Sequence, residues 1–101
     1  MAVQGAVPKQ PAETFPVGLD FKRYLGVGET LVTPTTTSKN LGTGADSTAT
    51  FLQGSSAVVG SIVTHRIIAG TDGDRHRVQI KVTTSAGNTF EDEIDVPVKA
   101  F

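Results

Sequence analysis

Residues 75–98 read RHRVQIKVTTSAGNTFEDEIDVPV, and this stretch decides the fold class. Val78, Ile80 and Val82 alternate with Arg77, Gln79 and Lys81. Ile94, Val96 and Val98 alternate again further on, with Glu93 and Asp95 facing out. A period of two puts one set of side chains on a core and the other in water, which is the pattern of a half-buried strand. Between the runs, Ser85-Ala86-Gly87-Asn88 reads as a hairpin turn in which Gly87 supplies a positive φ. Antiparallel pairing about that turn sets Arg75, Arg77 and Lys81 beside Glu91, Glu93 and Asp95. Opposite charges across a strand pair contribute about 0.2–1 kcal/mol each and help to fix register.

Outward from this hairpin the chain keeps the same character. Gly70 to Gly73 is a turn, and the β-branched run Ala57 to Ala69 is interrupted by Gly60, a turn, bulge or break. Gly54-Ser55-Ser56 signals another turn, and Ser47 to Gln53 is expected as a short strand. Ser38 to Asp46 is expected as loop, and Glu29 to Thr37 as a β-prone run interrupted by Pro34. Phe15, Val17, Leu19 and Phe21 fall at every second position of a further strand, whose start Pro16 pushes toward a sheet edge. Lys22 to Gly28 is a compact turn carrying Tyr24 and Leu25 as plugs over one end of the core. The sum is about seven strands with turn signals every ten residues or so, the pattern of a sandwich. Residues 1–12, with Gly5, Pro8 and Pro11 and no period, are expected as a flexible N-terminal arm, and 13–101 as the domain.

Composition narrows the function classes. With 101 residues and 38% of them hydrophobic, the chain suits one domain with one thin core. No apolar stretch reaches the roughly 18 residues that a membrane span needs. Residues 1–15 lack the charged start and apolar run of a secretory signal, and an unprocessed start at Met1 is expected. The absence of cysteine removes disulfides and cysteine-ligated zinc. Nine basic and ten acidic residues leave a formal charge of −1, without the basic excess of a nucleic-acid binder. Neither nucleic acid nor membrane is expected as a partner.

Reactive constellations are sparse. His65 and His76 do not fall into a metal-ligand pattern with further ligands; His76 is expected to tie a loop, and His65 to lie exposed on a strand. Asp72-Gly73-Asp74 resembles a fragment of a calcium loop, but a short turn explains it better. Glu91-Asp92-Glu93 with Asp95 alternates along a strand rather than lining a cleft. No serine stands in G-x-S-x-G, and Gly42-Thr43-Gly44 lacks the lysine and helix of a phosphate loop. No catalytic, cofactor-binding or metal-binding residue is expected, and the chain is read as a non-enzyme.

Two sets of residues resemble a known family. Lys9-Gln10-Pro11-x-Glu13-Thr14 is followed by Asp20-Phe21-x-x-Tyr24-Leu25-x-x-Gly28-Glu29-Thr30. Gly70-Thr71-x-Gly73, Val78 and Val82-Thr83-Thr84-Ser85-Ala86-Gly87 make the second set. In order and spacing they resemble the tailed-bacteriophage fiber-tail adaptors, small virion proteins, from Lys9 to Val98. The resemblance implies an all-β, immunoglobulin-like sandwich of about seven antiparallel strands. It also implies a structural role in the virion tail, after assembly in the host cytoplasm. Tyr24 stands where members often carry Trp, and His76 where they often carry a Tyr that looks like a tyrosine corner. A ring nitrogen of His76 can make a similar bond.

A small sandwich offers its edges and end loops to other proteins. The expected contacts are Lys9, Gln10, Lys39, Asn40, Asp46 with its loop from Gly42, and Phe101, together with the basic face of Arg75, Arg77 and Lys81 and the acidic face of Glu91, Glu93 and Asp95. The expected partners are other virion proteins (tail tube, nozzle or adaptor, tail fiber) and copies of the chain in a symmetric ring. A capsid decoration protein of the same fold and a surface binding module are the alternatives.

Overall fold

Alternating apolar and β-branched residues dominate the chain, and it folds accordingly. The computed structural model describes residues 3–100. Among them are seven strands: β1 (Val3–Ala6), β2 (Phe15–Asp20), β3 (Leu31–Asn40), β4 (Leu52–Val59), β5 (Ile62–Ile67), β6 (Arg75–Thr84) and β7 (Thr89–Pro97). A 3-10 turn covers Lys22–Tyr24, and one helical turn, α1, covers Thr48–Phe51. One sheet has the order β1-β7-β6-β3 and the other β2-β5-β4. Facing sheets with these orders make an immunoglobulin-like sandwich.

The quoted hairpin forms in the expected register. Lys81 lies opposite Glu91 and Arg77 opposite Asp95 across β6 and β7. Gly87 closes the turn at φ 84°, a conformation that favours glycine. Val78, Ile80, Val82, Ile94 and Val96 point inward to meet Val17, Leu19, Val63 and Ile67 of the second sheet. Phe51 and Val98 fill the core at one end, and Tyr24, Leu25 and Phe90 pack against it from partly buried positions. Gly60, at φ 60°, turns β4 into β5. Pro16 lies on the edge strand β2, where its missing N–H leaves no ladder bond unmade.

Several elements differ from the expectations. Residues 1–12 were expected as a loose arm, yet Val3–Ala6 run along β7 in parallel, and Val7 N and Lys9 N continue the ladder by donating to Asp95 O and Pro97 O. No hairpin joins β1 to β7; the chain crosses from β1 to the other sheet, so nothing forces an antiparallel pair. Ser47 to Gln53 is not a strand throughout: Thr48–Phe51 coil into α1, because the Asp46 carboxylate accepts Thr48 N at 2.8 Å and Phe51 N donates to Ser47 O. β3 continues past Thr37 to Asn40, its register shifted between Leu31 and Pro34, so the loop begins only at Leu41. His65 is turned inward, as described below.

Candidate functional site

The strand ends gather the loops at two poles. At the first pole lie residues 7–14, 41–47 and 68–74, since Asn40 pairs with His76, Arg75 with Pro97, and Phe15 and Leu52 with Ile67. At the second lie residues 21–30, 60–61 and 85–88: Phe21 N donates to Ser61 O, and Ser85 N to Thr30 O. Of the six contact residues expected outside the two charged faces, five belong to the first pole or its rim; Phe101 lies outside the described residues.

Lys9 does not serve there as an exposed contact. Its side chain is buried, at 2% relative exposure. Its ammonium donates to Gln10 O, Pro11 O and, from the other side of the sandwich, Ala69 O. Burial lowers the pKa of the amine, with Glu13 acting in the opposite direction. A buried ammonium is tolerable only when its donors are satisfied, and three carbonyls satisfy them. Lys9 thus fastens the N-terminal segment to the loop before β6. Gln10, next along, is exposed.

His76 is the second fastening. Its Nδ1 lies 2.9 Å from Ser47 Oγ, and Ser47 Oγ lies 2.6 Å from Ser38 Oγ. Its Nε2 lies 3.4 Å from the Asp74 carboxylate. Its ring stacks on Phe51 with centroids 3.9 Å apart and planes 9° apart. At the second position of β6 it does what a corner tyrosine does, tying the strand start to loops. The set Ser47, His76 and Asp74 has the residue types of a hydrolytic triad. Here, however, Ser47 and His76 are both buried, and the ring is clamped against Phe51. The geometry serves as a tether. Beside it Gly70 at φ 95° leaves room that a Cβ would lack, since that atom would come within 2.9 Å of Val98 Cγ2.

Between these fastenings the loop after β3 is held as a rigid curl. The Asn40 side-chain oxygen accepts Gly42 N at 2.9 Å, Asn40 N donates to Ala45 O, and Gly44 N donates to Asn40 O. A bridge then pairs Lys39 with Asp46. Thr48, through its hydroxyl and backbone N–H, holds the Asp46 carboxyl below its usual range. The curl thus brings Lys39, Asn40 and Asp46 together, and its flank forms an open groove of about 550 Å³. Lys39, Leu41, Asp46, Arg77, Gln79 and Glu93 are among its lining residues. Leu41 is exposed at its edge. Arg77 Nε is 2.7 Å from Asp95 and 3.3 Å from Glu93, and Arg75 reaches Asp95 at 3.1 Å. The Arg77 hydrogen bond, opposed by burial and aided by Arg75, holds the Asp95 carboxyl below its usual range. The groove combines fixed charges of both signs with one apolar side chain, which suits a polypeptide segment better than a small substrate.

Sequence reading offered Arg77 and Glu93 as parts of two charged strand faces, but it did not join them to Lys39 on one surface, and it missed Leu41 and Gln79. Their adjacency comes from β3 pairing with β6 in a register that opposes Lys39 to Arg77. It also placed His65 in solvent, whereas that side chain is buried between the sheets, its Nδ1 3.0 Å from Ser56 Oγ. The signal was present: His65 alternates with Val63 and Ile67, both in the core. Its Nε2 has no hydrogen-bond partner among the described residues, and burial lowers its pKa. Among the described residues no group of three or more His, Cys, Asp or Glu could hold a metal ion.

A family model described as podophage GP4 fiber-tail adaptor protein gp77 matches residues 9–97. No curated protein matches the chain.

Proposed function

The chain belongs to the podophage GP4 fiber-tail adaptor family, and from that premise we propose that its polar groove is where it grips another tail or fiber protein. Membership makes it a structural protein of the phage tail that contacts other tail or fiber proteins. The finer reading is that the rigid curl at Asn40–Asp46 and the charged face of β6 and β7 together receive a segment of the partner. One observation carries it: Lys39, Asp46, Arg77 and Glu93 line one groove, with Leu41 exposed beside them. Contacts of this kind are individually weak. Copies of the chain set around the tail axis multiply them, so avidity exceeds a single affinity.

The test is co-assembly. Leu41→Glu with Lys39→Glu alters the groove without touching a buried group. The double variant should keep its circular dichroism spectrum yet fail to enter tails reconstituted from the other tail and fiber proteins. Entry at the wild-type level would refute the groove as the contact.

A further inference from the structure

The two outer faces of the sandwich differ sharply in chemistry. The face of β6 and β7 is crowded with acids and bases paired to one another. The outer face of β2, β5 and β4 is nearly bare of charge. Cross-strand partners share a face, so the registers arrange it in three rows. Asp20, Ile62 and Val59 form the row nearest the second pole. Gly18, Thr64 and Ala57 form the middle row, and Pro16, Arg66 and Gln53 the row nearest the first pole.

The middle row of this face carries only small side chains, and its large apolar ones lie in the row nearest the second pole. A Cβ on Gly18 would come within 3.2 Å of a methyl of Ile62 and of Thr64, so both side chains lean over the glycine and fill its gap. Val59 is 67% exposed and Ile62 39%, two of the few large apolar residues left in solvent. Its charges are Asp20 at one end and Arg66 at the other. Arg66 has no ion-pair partner among the described residues, whereas Asp20 accepts Lys22 N and Ser61 Oγ.

We infer that this face packs against the same face of a second copy, about a two-fold axis that lies in the interface and runs across the strands. A face that meets itself must be complementary to itself. With the axis through the middle row, the Arg66 row of one copy lies over the Asp20 row of the other, twice. An axis along the strands would instead set Arg66 over Arg66, which like-charge repulsion disfavours. Nine residues a side is well under the 20–30 of a stable interface. The pair is therefore weak and forms only at high local concentration. This contact is independent of the groove proposed above.

The test uses the whole chain at about 1 mM, the range of local concentration that an assembly imposes. Sedimentation should show a dimer, and amide shifts that depend on concentration should cluster on Ile62, Thr64 and Arg66. Arg66→Glu alone and Asp20→Lys alone should each weaken association roughly tenfold or more. An equimolar mixture of the two variants should restore it, because every cross-copy contact is then between opposite charges. Ile62→Glu, a change to a side chain without a hydrogen bond, should also abolish association. Three results would each overturn the inference: a monomer with no shifts at about 1 mM, association that survives Arg66→Glu and Ile62→Glu, or a mixture no better than its parts. If Arg66→Glu blocks entry into tails but leaves self-association unchanged, a different protein covers the face, and the inference again fails. Failure of the groove variants alone would leave this contact standing.

Discussion

Truncating His76 to alanine should be among the most destabilising single changes at the first pole. The ring is 4% exposed and stacks flat on Phe51. Such a stack adds about 0.5–1.5 kcal/mol to simple burial. Loss of its contact with Ser47 removes about 1 kcal/mol, and the weaker one with Asp74 less. The cavity left behind brings His76→Ala to about 3–4 kcal/mol, in the lower part of the usual range for a large aromatic. His76→Phe keeps the ring and its stack and loses only the two polar contacts, so it should cost about 1–2 kcal/mol. For a domain of this size each kcal/mol moves Tm by about 4–8 °C. Urea unfolding followed by circular dichroism and by Tyr24 fluorescence measures both variants. Tyr24 is the only tyrosine, there is no Trp, and Tyr24 sits at the opposite pole, so coincident curves also test two-state behaviour. If His76→Phe costs as much as His76→Ala, the stack contributes nothing. If His76→Ala costs under about 1 kcal/mol, less than one hydrogen bond and the stack together, the tether does not exist.

Lys9→Met keeps the aliphatic stem and removes the ammonium from three carbonyls; it should destabilise by about 1–3 kcal/mol, with faster hydrogen exchange at the Val7 and Lys9 amides. Unchanged exchange there would show that Lys9 does not anchor the segment. The pH dependence should carry the signature of His65. Its folded pKa lies below the ordinary 6.5, so the folded state binds fewer protons than the unfolded one in that window. Stability should be unaffected by this group above that value, and should fall as pH drops from there toward the folded pKa. A His65→Gln variant should flatten the Tm profile in that window; a profile identical to wild type would refute the assignment.

Much of the fold was legible in the residues. The hairpin of β6 and β7, the inward row of β2, the break at Gly60 and the edge position of Pro16 all follow from local patterns. β1 was not legible, because a short edge strand with Gly5 and exposed Ala6 gains its order from the β7 backbone rather than from its own side chains. α1 was not legible either, for Ser-Thr-Ala-Thr-Phe has strand-like content, and the coil is set by the hydrogen bond from Thr48 N to the Asp46 carboxylate and the seat of Phe51 against His76. Of the site, Lys39, Asn40 and Asp46 could be named from their loop, while Arg77 and Glu93 joined them only through sheet pairing.

By itself, the sequence determined which side chains face inward along β2 and β6 and where the chain turns at Gly60 and Gly87, because alternation and turn chemistry act between residues a few positions apart. The turn expected at Gly54-Ser55-Ser56 is instead an irregular stretch within β4. Lys9 was a candidate partner contact on that reading, and His65 an exposed strand residue. Only the tertiary structure decided that Lys9 would be buried against Ala69 and that Asp20 and Arg66 would mark opposite ends of an uncharged face. Those relations join residues distant in the chain, and they exist only once two sheets have closed in one register.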